Sequence, residues 1–216
     1  MFSPVALVSL AIVALSSASP LNIRQATSGP CAGLGIGAYD NASNFTLGAY
    51  NLTLSNANAT GAPLVLTFKQ FTGSATGAYY STLSTYYSVH SNDEPMLSLV
   101  NGSLLPSNPA EPNIYSSNLA VSSGNELLFE FSTEESELPT PAQNYCIVDH
   151  FDPAGKGPYP MLALNGITDG FSLCKNDIPY DYGNPYDVVL EATEDNGHIY
   201  NYTTCYPVRL QILYGL

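Results

Sequence analysis

The sequence predicts an all-β fold, an antiparallel β-sandwich or barrel preceded by a signal peptide, and three observations carry that prediction. Apolar residues recur at period two in short runs. Asn-Gly pairs and Pro-rich pieces punctuate the runs, and no long stretch has apolar residues at helical spacing. Short strands at roughly 10–15-residue spacing without intervening helices pack as sandwiches or barrels.

The chain opens with "MFSPVALVSLAIVALSSASP", whose Val5 to Leu15 run is an apolar core of signal-peptide length, too short to span a bilayer. Ser16-Ser17-Ala18 supplies the small residues for a cut after Ala18, so residues 1–18 read as a signal peptide although the n-region lacks Lys and Arg. Residues 19–30 read as a flexible N-terminal segment, with Arg24 a candidate processing site, and residues 31–216 as one β-rich domain.

Within that domain "FTLGAYNLTL" puts Phe45 and Leu47 on one face and then moves to Tyr50, Leu52 and Leu54, a slip that predicts a bulge near Gly48. "PLVLTFK" aligns Leu64, Leu66 and Phe68, and "ELLFEF" aligns Leu127, Phe129 and Phe131. "DVVLEA" aligns Val188, Leu190 and Ala192, and "PVRLQILY" alternates Val208, Leu210, Ile212 and Tyr214 against Arg209 and Gln211. Asn101-Gly102, Asn165-Gly166 and Asn196-Gly197 are type I′ turn candidates, and "VVLEATEDNGHIYNYTT" has the strongest hairpin pattern. An echo between "EPMLSLVNGSLLPSN" and "YPMLALNGITDGFSLCKN" offers a β-trefoil as the alternative architecture.

Export gives meaning to six Asn-x-Ser/Thr acceptors, Asn41, Asn44, Asn51, Asn58, Asn101 and Asn201. Four of them fall between Asn41 and Thr60, which predicts an exposed edge or loop there. The four cysteines, Cys31, Cys146, Cys174 and Cys205, read as two disulfides. A nested pairing, Cys146–Cys174 inside Cys31–Cys205, would tie the first strand to the last. The wide gaps between cysteines argue against a zinc site.

A net charge of −13 repels phosphate backbones and anionic lipid, so neither nucleic acid nor a membrane is an expected partner. No motif implies a cofactor or a metal. There is no Gly-x-Ser-x-Gly elbow, and the glycines of "CAGLGIG" and "DPAGKGP" lack the spacing of phosphate-binding loops. The catalytic candidates are therefore Glu130, Asp149 and His150. Glu130 interrupts an apolar strand, and His150 stands beside Asp149, though neighbours on a strand face opposite ways. Sixteen tyrosines and no tryptophan leave Tyr79, Tyr80, Tyr86 and Tyr87, in "YYSTLSTYY", as candidate sugar-stacking faces.

"GFSLCKN", Gly170 to Asn176, and "IYNYTTCYPVRLQI", Ile199 to Ile212, resemble the C-terminal cysteine domain of yeast-type cell-wall proteins with internal repeats. Cys174, Tyr200, Asn201, Cys205, Pro207 and Val208 occupy the matching places over residues 145–212. The family's glucan-linking repeats and dibasic processing site are absent. The resemblance therefore implies a wall-associated or extracellular structural setting rather than covalent attachment, and the chain as a whole resembles small secreted fungal glycoproteins. The expected function is that of a non-enzymatic, N-glycosylated monomer with cell-wall polysaccharide as its partner. A carboxylate-dependent glycoside hydrolase and a soluble effector or binding module are the alternatives.

Overall fold

The computed structural model describes residues 29–69, 79–89, 95–107, 113–149, 159–177 and 183–215. The signal-peptide prediction, the candidate processing site at Arg24 and His150 lie outside the described residues. The strands are β1 (Ala38–Tyr39), β2 (Ala42–Asn51), β3 (Ala62–Lys69), β4 (Tyr79–Thr85), β5 (Met96–Val100), β6 (Ser103–Ser107) and β7 (Tyr115–Asn118). There follow β8 (Leu128–Ser132), β9 (Tyr145–Val148), β10 (Met161–Leu164), β11 (Phe171–Asn176), β12 (Tyr186–Leu190) and β13 (Tyr200–Tyr214). A single helical turn, α1 (Tyr86–Val89), follows β4.

All strand pairs are antiparallel, and six strands close into a barrel in the order β13-β11-β12-β4-β3-β2. Closure comes from β13, whose first half pairs with β11 and whose second half pairs with β2 from Val208↔Asn51 to Tyr214↔Phe45. The 15-residue length of β13 lets one strand serve two partners and removes the free edges that an open sheet would leave. Barrel strands come as two runs of three, β2–β4 and β11–β13, so the threefold repeat of a trefoil is not the architecture. The intervening strands attach as side ribbons: β5–β6 on β2, β7–β8 on β4, and β1–β9–β10 on β13.

Period-two residues from all six strands fill the interior: Phe45 and Leu47, Leu64, Leu83, Phe171 and Leu173, Val188 and Leu190, Leu210 and Ile212. Leu127, Phe129, Tyr145 and Leu162 from the side ribbons join the same cluster. The alternation read from sequence holds here because each of these residues points to the same side of its strand.

The structure corrects six of the expectations. Pairing of β2 with β13 runs without interruption through Gly48; the irregularity lies between Ala42 and Phe45, where Asn44 takes a φ of 57°. Phe45, Leu47 and Ala49 keep one face, and Leu54 projects 70% exposed beyond the strand. Phe68 shares a face with Leu64 but is 52% exposed, where it packs against Tyr79. The "VVLEATEDNGHIYNYTT" hairpin does not form: β12 and β13 both pair with β11, which lies between them.

Asn196 does not adopt positive φ; Gly197 and His198 do, at 64° and 62°, in a loop rather than a two-residue turn. Asn101-Gly102 and Asn165-Gly166 do form tight turns with both residues at positive φ, closing β5–β6 and the Leu164↔Ile167 bridge.

The disulfides are Cys31–Cys146 and Cys174–Cys205, with Cα separations of 5.3 and 4.1 Å, not the nested pair. Cys146 on β9 and Cys174 on β11 are separated by β10 and β13, a gap of about 14 Å at ordinary strand spacing and twice what a disulfide bridges. A register shift between Leu173 and Lys175 brings Cys174 opposite Cys205. The bridge between β2 and β13 is made by hydrogen bonds instead.

Candidate functional site

The outer face of β3, β4, β11 and β12 is covered as completely as the inner one, and it carries polar residues. Val65, Thr67 and Lys69 of β3 are all buried, and so are Thr82 and Ser84 of β4 and Asp187 and Val189 of β12. A lysine at the end of an apolar strand would ordinarily reach solvent. Lys69 instead lies 8% exposed against Glu126, which is 5% exposed, and against the fully buried Asp187.

Register brings these groups together. Asp187 faces Ser84 across the β12–β4 pair and Cys174 across the β12–β11 pair. Glu126 forms an isolated bridge with Val189, two residues along β12 on the same face as Asp187. Asn176 ends β11, its side chain inside the cluster.

The Lys69 ammonium contacts Glu126 Oε2 directly and lies 3.9 Å from Asp187 Oδ2. Asn176 Nδ2 donates to Glu126 Oε1 at 3.1 Å and to Asp187 Oδ2 at 2.6 Å. Ser84 donates its hydroxyl to Asp187 Oδ1. The Asn176 carbonyl accepts from Asn184 Nδ2 at 2.6 Å, which holds the end of β11 in place.

One cation thus meets two carboxylates in a site nearly closed to solvent. Burial lowers the Lys69 pKa to about 8 despite the attraction of Asp187. Burial also raises the Asp187 pKa, against Lys69 and the hydrogen bonds from Ser84 and Asn176. The arrangement can hold a proton between amine and carboxyl and can present a neutral amine beside an acyl carbon.

The residues singled out by sequence are dispersed around this cluster. Glu130 is half-buried on β8 opposite Tyr80, and the Tyr80 hydroxyl hydrogen-bonds it; burial and that carboxylate raise the tyrosine's pKa. Asp149 is exposed beyond β9 and accepts a 3.4 Å hydrogen bond from the Tyr39 hydroxyl. The two carboxylates stand on different elements with different partners. Tyr79 and Tyr80 begin β4 while Tyr86 and Tyr87 follow its end, about 20 Å away at strand rise, so the four do not form one stacking platform. Tyr79 stacks on Phe131 with centroids 5.1 Å apart, and Tyr87 is 70% exposed. His198 is exposed in the β12–β13 loop.

The acceptor asparagines lie at the surface. Asn41, Asn44, Asn58, Asn101 and Asn201 are exposed and Asn51 is half-buried. In three of them the Thr two residues on donates its hydroxyl to the acceptor's Oδ1, at 3.1 Å for Asn51, 2.9 Å for Asn58 and 2.7 Å for Asn201. A glycan consumes an Nδ2 hydrogen and leaves Oδ1 an acceptor, so these turns are compatible with modification.

Sequence reasoning missed Lys69, Ser84, Glu126, Asn176 and Asp187 as members of one site. The available signal was parity: Lys69 falls on the face of Val65 and Thr67, and Asp187 on that of Val189. Nothing in that parity says that the second face is also covered.

Fold and site together define a disulfide-bonded all-β barrel with a buried ionic cluster on its outer wall. No family model matches the chain, and no curated protein and no solved structure matches it. Among the described residues no helix is long and apolar enough to cross a membrane, and no group of His, Cys, Asp and Glu has a metal-holding arrangement.

Proposed function

We propose that this chain is a secreted, N-glycosylated, non-enzymatic protein of the fungal cell surface or extracellular space, with a structural or carbohydrate-binding role. The observation that carries the reading is the outward placement of the acceptor asparagines on a barrel locked by two disulfides. Disulfides persist in oxidising compartments, and glycans require a surface position. The resemblance to cell-wall cysteine domains adds weight: Cys174, Tyr200, Asn201, Cys205, Pro207 and Val208 fall on two adjacent strands, β11 and β13. A wall polysaccharide is the proposed partner.

Fractionation of a producing culture into medium, detergent-extracted wall and alkali-released wall tests this. Retention on the wall is the expected result, and complete recovery in the medium overturns it. The hydrolase alternative rests on Glu130 beside Tyr80. It requires turnover of a polysaccharide that a Glu130→Gln variant loses.

A further inference from the structure

The cluster around Lys69 has the parts of a self-condensing cross-link. An amine and a carboxyl group are in direct contact, both nearly excluded from solvent, on segments far apart in the chain. A second carboxyl, Asp187, lies 3.9 Å from the amine nitrogen. An amide donor, Asn176 Nδ2, holds the other oxygen of the first carboxyl at 3.1 Å. Leaving these groups ionised is costly, because one ammonium cannot balance two buried carboxylates.

We propose that Lys69 and Glu126 condense into an intramolecular amide, a covalent bond joining the end of β3 to the segment entering β8. It is independent of the proposed cell-surface role.

The step balances as a dehydration. A proton first passes from the Lys69 ammonium to the Glu126 carboxylate, giving a neutral amine and acid, to which the lowered basicity of the buried amine contributes. The Nζ lone pair then attacks Cδ of Glu126, and the developing charge on Oε1 is held by Asn176 Nδ2. Asp187 accepts a proton from the attacking nitrogen and delivers it to the Oε2 hydroxyl, which departs. The Nζ–Cδ bond forms, the Cδ–Oε2 bond breaks and one water leaves; no oxidant or reductant takes part. Fixed groups in contact reach effective molarities of about 10⁵–10⁸ M, which drives a condensation that dilute amine and acid do not undergo. Burial of the product keeps water from reversing it. Asn176 and Ser84 are positioning residues here, and Asp187 is the proton relay.

Peptide mapping of the native secreted chain decides the matter. After deglycosylation, reduction, alkylation and trypsin, an amide at Lys69 blocks cleavage there. The expected product is one internally bridged peptide, residues 25–156, lighter by one water, about 18 Da, with no backbone fragments between 69 and 126. Cleavage after Lys69 into unmodified peptides 25–69 and 70–156 overturns the proposal. A branched species joining peptide 176–209 with loss of about 17 Da would make Asn176 the acyl partner and overturns the assignment to Glu126. In an Asp187→Asn variant the uncleaved product should fall at least tenfold. A Lys69→Met variant must give the full unmodified mass. The wild-type map stands alone if either variant fails to fold.

Discussion

Gly48 and Tyr145 illustrate how single atoms set tolerance in this barrel. A Cβ on Gly48 would overlap the Thr60 carbonyl oxygen and press on Leu213, so glycine is required there by close approach rather than by φ. Gly48→Ala should destabilise the protein by about 2 kcal/mol or more, read as a lower denaturation midpoint with an unchanged slope. Tyr145 is fully buried, and its hydroxyl has no hydrogen-bond partner among the described residues. Removing an unsatisfied buried hydroxyl relieves its desolvation cost, so Tyr145→Phe should leave stability unchanged or raise it by about 1 kcal/mol. Burial also raises the pKa of Tyr145 and, together with Tyr214 and Asp149, that of Tyr39. A raised folded pKa contributes stability that is present below pH 10 and lost above it, as the unfolded chain releases protons first. Thermal melts of the wild type should therefore fall above pH 10, and Tyr145→Phe should blunt the fall.

Between elements, the disulfides and the Lys69 cluster act where hydrogen bonding alone would leave segments loosely joined. Cys31–Cys146 closes a separation of 115 residues and Cys174–Cys205 one of 31. Loop entropy assigns them about 5 and about 4 kcal/mol, so paired Cys→Ala replacement of the first should lower the melting temperature more. A free Lys69 amine, with its pKa lowered from 10.5 to about 8, would make stability rise between those pH values, because the unfolded chain binds the extra proton. The amide abolishes that rise, so a flat pH profile from 8 to 10 is the expected result for the mature protein, and a rising one identifies the free amine. Strands were legible from their period-two residues, and both Asn-Gly turns that close neighbouring strands were legible from turn chemistry. The β12–β13 hairpin was misread because chain proximity favours pairing, whereas β11 occupies the place between them and is tied to β13 by Cys174–Cys205.

Across the whole molecule, barrel closure removes the open edges of the six central strands, and the acceptor asparagines lie on the surface beside them. The acceptor-rich stretch from Asn41 to Asn58 covers β2, whose outer end carries the β5–β6 ribbon, and the loop that follows β2. Removing the acceptors at Asn44, Asn51 and Asn58 should lower secreted yield or raise aggregation, scored by blotting medium and pellet; unchanged yield and solubility refute a protective role. The sequence by itself determined the all-β class, the strand faces that fill the interior and the surface position of the acceptors. Each follows from local alternation, turn chemistry or the size of a glycan. Only the tertiary structure decided that β13 closes a six-stranded barrel, which cysteines meet, and that Lys69, Glu126 and Asp187 share a buried site on its outer wall. Those outcomes depend on which strands become neighbours and on whether the second face of a strand is covered. Period two records that a strand has two faces, but not what lies against each of them.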